Sequence, residues 1–180
     1  MDKKSALFYQ GIFIIISGIL LFVYQNAEYN FIKNLQILSL IPCAVLGFIT
    51  AIKRFDKQIQ FAHQKIHTFT IIIYLLVLAV WGNSINEYNF ITALLFIFYM
   101  FSEIIFSGLL FNLHGKVYLR TLVIRTLVAI FTGIGTVIIV SSTSFSQNEK
   151  IMGFGIIFIA IGIAVLLYKP IMKNDNTLNA

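Results

Sequence analysis

The chain has 180 residues, of which 59% are hydrophobic and 11% are charged, and its formal net charge is +6. A soluble domain carries about 25% charged residues, so this composition excludes a protein whose whole surface faces water. The positive charge does not indicate a nucleic-acid partner, because the basic residues cluster beside the ends of apolar segments and no nucleic-acid-binding motif occurs.

Six apolar segments follow one another along the chain. They are approximately Ala6–Tyr24, Leu35–Ile52, His67–Gly82, Phe90–Phe111, Val117–Val140 and Ile151–Tyr168. Crossing about 30 Å of hydrocarbon takes ~20 residues of helix, and each segment reaches or approaches that length. The runs are continuous rather than alternating, which favours helices over barrel strands. The sequence predicts an all-α membrane protein with six transmembrane helices in one domain that covers residues 1–180.

Basic residues predict the orientation of these helices, because positively charged loops stay in the cytoplasm. One side of the predicted bundle carries Lys3, Lys4, Lys53, Arg54, Lys57, Lys65, Lys116, Arg120, Arg125, Lys169 and Lys173. The other side carries only Lys33 and Lys150. We therefore predict a multi-pass protein of the bacterial inner (plasma) membrane, with both termini in the cytoplasm and with anionic lipid headgroups as partners on that side.

An internal repeat divides the six segments into three helical hairpins. Residues 28–32 and residues 87–91 both read Glu-Tyr-Asn-Phe-Ile, and both pentapeptides lie in connections on the outer side. A weaker echo, Glu-Lys-Ile, occurs at 149–151. Repeats of this length are typical of stacked supersecondary units. The predicted hairpins cover about residues 6–52, 67–111 and 117–168.

Two further patterns concern packing. Gly11 and Gly18 are seven residues apart on the first segment, as are Gly155 and Gly162 on the last. Small residues let helices approach closely in lipid, so these glycines predict contact faces inside one chain. In the connection before the third segment, apolar residues recur at helical spacing up to Ile66, which indicates either an interfacial helix or an extension of the third helix.

Glu103 lies well inside the fourth segment, where an unpaired carboxylate is costly to bury. Arg125 is its predicted partner. The turn between segments four and five centres near His114, and Glu103 and Arg125 each lie eleven residues from it. Antiparallel helices would bring them to the same depth, with Ser102 and Thr126 as further hydrogen-bonding groups. The pair is either a structural link that fixes helix register or a proton-titratable or ion-binding site.

Three histidines lie on the predicted cytoplasmic side: His63, His67 and His114. They could sense falling pH or bind a transition metal, but the favoured interpretation is interfacial polar residues without a ligand, since no cysteine or carboxylate cluster completes a metal shell. We predict no metal and no cofactor. No catalytic motif occurs either, so the sequence does not indicate an enzyme.

Three stretches of the chain are similar to spans of a known protein family. They are Gly11–Phe13 with Ser17–Leu20, the run Ser102–Gly108 (Ser-Glu-Ile-Ile-Phe-Ser-Gly), and Gly155–Ile163. These stretches resemble the first, even-numbered and last spans of the HdeD-type family of small bacterial inner-membrane proteins. The resemblance implies six spans in repeated hairpins, cytoplasmic termini and a link to acid resistance.

Three functional hypotheses follow. The first is a non-enzymatic inner-membrane protein of the HdeD type that contributes to acid or envelope stress tolerance. The second is a small transporter or channel for protons, ions or a small solute, with a path lined by Glu103, Ser102, Thr132 and Thr136. The third is an interaction subunit that assembles with a second copy of itself or with another membrane protein.

Overall fold

The residues that the structure describes form helices joined by short turns. A computed structural model describes the backbone of residues 3–52 and 59–167. Its helices are α1 (Lys3–Val23), α2 (Tyr29–Ile52), α3 (Ile59–Trp81), α4 (Ile85–Ser141) and α5 (Gln147–Leu166), and no strand occurs in these two ranges. Several helices extend past the apolar segments, because hydropathy marks the part of a helix that suits lipid and not the end of its hydrogen-bonded backbone.

Helix α4 covers both the fourth and the fifth predicted spans. In a straight helix, side chains 22 residues apart would be separated by about 33 Å, whereas Arg125 Nη2 lies 2.5 Å from Glu103 Oε2. The helix therefore turns back between a first arm, Ile85–Leu109, and a second arm, Leu122–Ser141. The sequence analysis separated these spans by a connection near His114, whereas the structure assigns the backbone of that stretch to α4.

The helices close into a ring. Each helix packs on the next along the chain, and α5 returns to pack on α1. The turns at 24–28, 82–84 and 142–146 lie together at what we call the loop end, where Asn148 Nδ2 donates to Asn26 Oδ1 at 2.8 Å and Asn89 Nδ2 donates to Gln147 Oε1 at 2.8 Å. Neighbouring helical segments are therefore antiparallel: α1, α2, α3 and α5 each have one end there, and α4 has both.

Glycines fix the closest of these contacts. A Cβ at Gly18 would lie 2.5 Å from the carbonyl oxygen of Gly155, and a Cβ at Gly11 would lie 3.0 Å from that of Gly162. The first distance is too short for any side chain and the second is tighter than an ordinary contact, so α1 and α5 approach backbone to backbone. The predicted role of these four glycines as contact faces within one chain is confirmed.

Capping serines explain where two helices begin at the loop end. The hydroxyl of Ser84 accepts from the backbone N–H of Glu87, whose carboxylate accepts from the backbone N–H of Ser84. Ser146 and Glu149 repeat the arrangement at the start of α5. Each capping box satisfies backbone donors that a helix start leaves unpaired.

The distribution of side chains is the reverse of that in a soluble domain. Large apolar residues such as Leu38 and Val80 are mostly exposed, while Ser17, Thr92 and Glu103 are fully buried. Four described segments are long and apolar enough to cross a membrane, namely Tyr29–Ile49, Ile85–Leu109, Leu122–Ser141 and Gln147–Leu166, and Phe8–Val23 and Lys65–Trp81 are shorter apolar helices. The protein thus has the helices of a membrane protein, and its polar groups face the interior of the bundle.

The connection before the third segment was predicted to be either an interfacial helix or an extension of the third helix, and the bounds of α3 distinguish these two interpretations. The helix begins at Ile59 and continues without a break to Trp81, so residues 59–66 are an extension of the third helix. The rest of that connection lies outside the described residues, as do several basic residues used to predict orientation: Lys53, Arg54, Lys57, Lys169 and Lys173.

Candidate functional site

A buried carboxylate at Glu103 joins three helical segments. Arg125 Nη2, from the second arm of α4, lies 2.6 Å from Oε1 and 2.5 Å from Oε2 of this carboxylate. His67 Nε2, from α3, lies 2.9 Å from Oε1. The side chains of Glu103 and Arg125 are 0% exposed, and that of His67 is 17% exposed. We call these three residues the charge cluster.

The cluster lies far from the loop end of the bundle. Glu103 follows the start of α4 by 18 residues, Arg125 precedes its end by 16, and His67 precedes the end of α3 by 14. At the helical rise these steps correspond to about 27, 24 and 21 Å. These distances approach the thickness of a hydrocarbon layer, which is about 30 Å, so the cluster lies toward the end of the bundle opposite the loop end.

Arg125 extends the cluster to α5. Its Nη1 donates to the backbone carbonyl of Ala164 at 3.2 Å, and its guanidinium lies 5.9 Å from the ring centroid of Phe106. A planar guanidinium suits such a site, because it can donate to a carboxylate and to a carbonyl while it lies near an aromatic ring. One cation and one anion, both desolvated, neutralise each other, and the hydrogen bonds offset part of the cost of burying them.

His67 is the one partly exposed member of the cluster. An ionised carboxylate only accepts hydrogen bonds, so the 2.9 Å contact to Glu103 requires an N–H at Nε2. The imidazole also lies against Tyr99, with ring centroids 5.2 Å apart.

A cavity of about 50 Å³ adjoins the cluster. It is enclosed by residues of all five helices: Gln10, Ile14, Leu40, Cys43, His67, Thr68, Thr70, Ile71, Leu95, Tyr99, Phe158, Ile161 and Val165. Gln10 Nε2 donates to the carbonyl of Cys43 at 3.2 Å across it. Sites for drug-sized ligands have volumes of roughly 300 Å³ or more, so this cavity suits water or a very small solute.

Two hydroxyls on the cavity wall are buried without a hydrogen-bond partner among the described residues. They are Thr68 Oγ1 and Tyr99 OH, on residues that are 1% and 4% exposed. A buried hydroxyl without a partner costs roughly 1–3 kcal/mol. The cavity therefore presents polar groups that favour a hydrogen-bonding occupant.

The structure does not bring the other predicted polar residues to this cavity. Ser102 Oγ donates to the carbonyl of Tyr99 at 2.9 Å, and Thr132 and Thr136 donate to carbonyls one turn back on their own helix, at 2.8 and 2.6 Å. Thr126 lies instead in a separate groove between the two arms of α4. Ser102 and Thr126 were expected to support the ion pair, but the described hydrogen bonds of Glu103 go to Arg125 and His67.

The three predicted histidines have different outcomes. His67 belongs to the cluster, whereas the side chains of His63 and His114 lie outside the described part of the chain. Among the side chains that are described, no three histidine, cysteine or acidic residues stand close enough to hold a metal ion.

A second buried polar group, near the loop end, was missed by the sequence analysis. Tyr88 donates from its hydroxyl to Gln36 Oε1, and the hydroxyls of Tyr74 and Thr92 lie 3.1 Å apart. The two tyrosines of the repeated pentapeptide, Tyr29 and Tyr88, pack edge to face with ring centroids 6.0 Å apart. The sequence analysis placed both pentapeptides in connections on the outer side, whereas the Tyr88 side chain is fully buried.

Chemically, the charge cluster is a buried ion pair whose carboxylate also contacts a partly exposed imidazole, and the cavity beside that imidazole can hold water. The comparisons with known proteins add no precedent for such a site: no family model, curated protein or solved structure matches the chain.

Proposed function

We propose that the protein is a six-span membrane protein of the bacterial inner membrane, built from three helical hairpins, with the loop end outside and both termini in the cytoplasm. The excess of basic residues beside the opposite end supports this orientation. The four long and two shorter apolar helices, with antiparallel packing along the chain, support six crossings.

Cysteine labelling tests this topology. The single native cysteine, Cys43, is replaced by serine, and new cysteines are introduced one at a time at exposed loop-end positions, Asn26 and Ser144, and at Lys57 and Lys116. In intact cells, a membrane-impermeant thiol reagent should label only the first two. Labelling of Lys57→Cys from outside, or of neither loop-end variant, would contradict the proposed orientation.

Within that topology, we propose a non-enzymatic role in tolerance of acid or envelope stress, as the resemblance to HdeD-type proteins implies. The observation that carries this proposal is the buried charge cluster. When His67 is neutral, the charges of Glu103 and Arg125 cancel, and when it is protonated the cluster carries +1. Uncompensated charge is costly in a low-dielectric interior, so acidification changes the energy of the contact between α3 and α4.

Deletion and complementation test the proposed role. Cells that lack the gene should survive exposure to low pH less well, and the wild-type chain should restore their survival. His67→Gln keeps an N–H donor for Glu103 but cannot titrate, so it should fold and fail to restore survival. Phe69→Leu, at an exposed position of α3 outside the cavity, is the control. Unchanged survival after deletion, or full rescue by His67→Gln at normal expression, would refute the proposed role.

A second candidate function is transport of protons or another small cation, and the observation that favours it is the cavity lined by His67, whose imidazole contacts Glu103. Purified protein in liposomes would then show a flux that Glu103→Gln abolishes while the protein remains folded. A flux no greater than that of protein-free liposomes would leave the stress-tolerance proposal as the better one.

A further inference from the structure

We infer that the cavity is a hydrated vestibule that connects the charge cluster to the cytoplasm and is sealed toward the outside, so that water and protons reach the cluster from the cytoplasmic side alone. The inference rests on the proposed orientation and deepens the proposed pH response by assigning it to one side of the membrane. It concerns water and protons as ligands, and it makes specific residues responsible for the entry and for the seal.

The first argument is that the cavity has the properties of a water site. Thr68 Oγ1 and Tyr99 OH both lie on its wall and are without partners in the described structure, and Gln10 and His67 add polar atoms. A buried water needs at least about 10–15 Å³ of accessible space and two to four polar partners. A cavity of about 50 Å³ with these four side chains meets both conditions.

The second argument concerns the entry. His67 follows Lys65 by two residues, which is about 3 Å along the helix axis. The apolar part of α3 runs from Lys65 to Trp81, so the partly exposed imidazole of His67 lies near the end of that apolar segment, away from the loop end. The cytoplasmic side is therefore the nearer source of water for the cavity.

The third argument concerns the seal. Phe158 lines the cavity on the side facing the loop end and packs edge to face on Phe96, with ring centroids 4.8 Å apart. Leu40 completes the layer, and all three residues are buried. These residues lie about 16 Å from the loop end, between the cavity and the buried group around Tyr88. Aromatic and aliphatic side chains offer no hydrogen bonds, so they stop a chain of water molecules.

The groups that face His67 define the charged end of the vestibule. From the first arm of α4 it faces Glu103 and Tyr99, and from the second arm it faces Arg125 through Glu103. Across the cavity, α2 contributes the thiol of Cys43, while the cavity-lining residues of α1 and α5 carry no charge. The charged end of the vestibule is therefore formed by His67 and the ion pair behind it, and its other walls are uncharged.

Hydration can be tested with Cys43, the single cysteine, whose S–H stretching band in the infrared is unambiguous. In proteoliposomes transferred to D₂O, the thiol hydrogen of Cys43 should exchange for deuterium within the mixing time. The control is Cys43→Ser combined with Leu78→Cys, which places a fully buried thiol away from the cavity and should exchange far more slowly. Equal, slow exchange at both positions would refute the vestibule.

The seal can be tested by proton permeation into liposomes that contain a pH-sensitive dye. Wild-type protein should leave permeability at the level of empty liposomes, and Phe158→Ala should raise it several-fold. The matched control, Phe154→Ala, removes the same side chain one turn nearer the loop end and should have no such effect. If Phe158→Ala does not fold, Phe158→Leu with Phe96→Leu replaces it.

The two proposals fail separately. The one-sided vestibule is refuted if the folded seal variants are no more permeable to protons than wild type, or if Phe154→Ala raises proton permeability as much as they do. This holds whatever the result of the acid-survival experiment. If the vestibule passes both tests and gene deletion leaves acid survival unchanged, the stress-tolerance role fails alone.

Discussion

Gly18 and Gly155 meet backbone to backbone where α1 crosses α5, and each lacks room for a Cβ because of the carbonyl oxygen of the other. In lipid no hydrophobic effect drives helices together, so close approach of this kind is a main source of their association. The first and last described helices are therefore held together by the smallest residue available, and this contact closes the ring of helices.

Enlarging Gly18 should open this contact. Its Cβ would lie 2.5 Å from a backbone oxygen, which cannot move without displacing α5. We expect Gly18→Ala to lower the free energy of unfolding in mixed detergent micelles by about 1–3 kcal/mol, the usual cost of overpacking. Gly108→Ala is the matched control, because its Cβ meets nothing within 4 Å. Equal effects of the two substitutions would show that α1 and α5 do not meet as described.

The ion pair should behave as a coupled unit. Glu103→Gln leaves the guanidinium of Arg125 buried without its counter-charge, which costs roughly 3–5 kcal/mol of stability. Adding Arg125→Gln should restore much of the loss, since both charges are then absent. A double-mutant cycle from unfolding titrations measures the coupling, and Glu28→Gln, at an exposed position, should change little. Additive losses from the two substitutions would argue against a direct pair.

The sequence predicts this pair well because antiparallel helices place residues at equal distances from their turn at equal depth. Glu103 and Arg125 satisfy that rule about His114. The contact of His67 with Glu103 was not predicted, although the same rule of equal distance applies to the turn at 82–84. From Asn83, His67 lies 16 residues before and Glu103 lies 20 after, a difference of about one helical turn.

Other parts of the site could not be predicted from the sequence. The acceptor that Arg125 finds on α5 is the backbone carbonyl of Ala164, and every residue has one. The burial of Tyr88 could not be read from its repeat, because tyrosines at helix ends usually face the interface. A signal for the start of α5 was present, however. Residues 84–87 and 146–149 share the pattern Ser-x-Asn-Glu, 62 residues apart, whereas the pentapeptides are 59 apart.

The capping box of α4 should contribute measurably to stability. Ser84→Ala removes the acceptor for the backbone N–H of Glu87, and loss of such a cap costs about 1 kcal/mol. The expected result is a small decrease in the free energy of unfolding with unchanged helix content by circular dichroism. Ser141→Ala is the control, because that hydroxyl only donates to a carbonyl of its own helix and is exposed. A Ser84→Ala protein as stable as wild type would contradict the described start of α4.

The hydrogen bond between Tyr88 and Gln36 should stabilise the loop end of the bundle, because both side chains are almost completely buried. Tyr88→Phe leaves Gln36 Oε1 without this donor, and an unsatisfied buried polar group costs roughly 1–3 kcal/mol. Replacing Gln36 with leucine as well removes the polar group and should recover most of that loss. Tyr24→Phe, on an exposed ring, is the control and should leave stability unchanged. If Tyr88→Phe is also neutral, or if Gln36→Leu adds its full cost to it, Tyr88 and Gln36 are not hydrogen-bonded partners in the membrane.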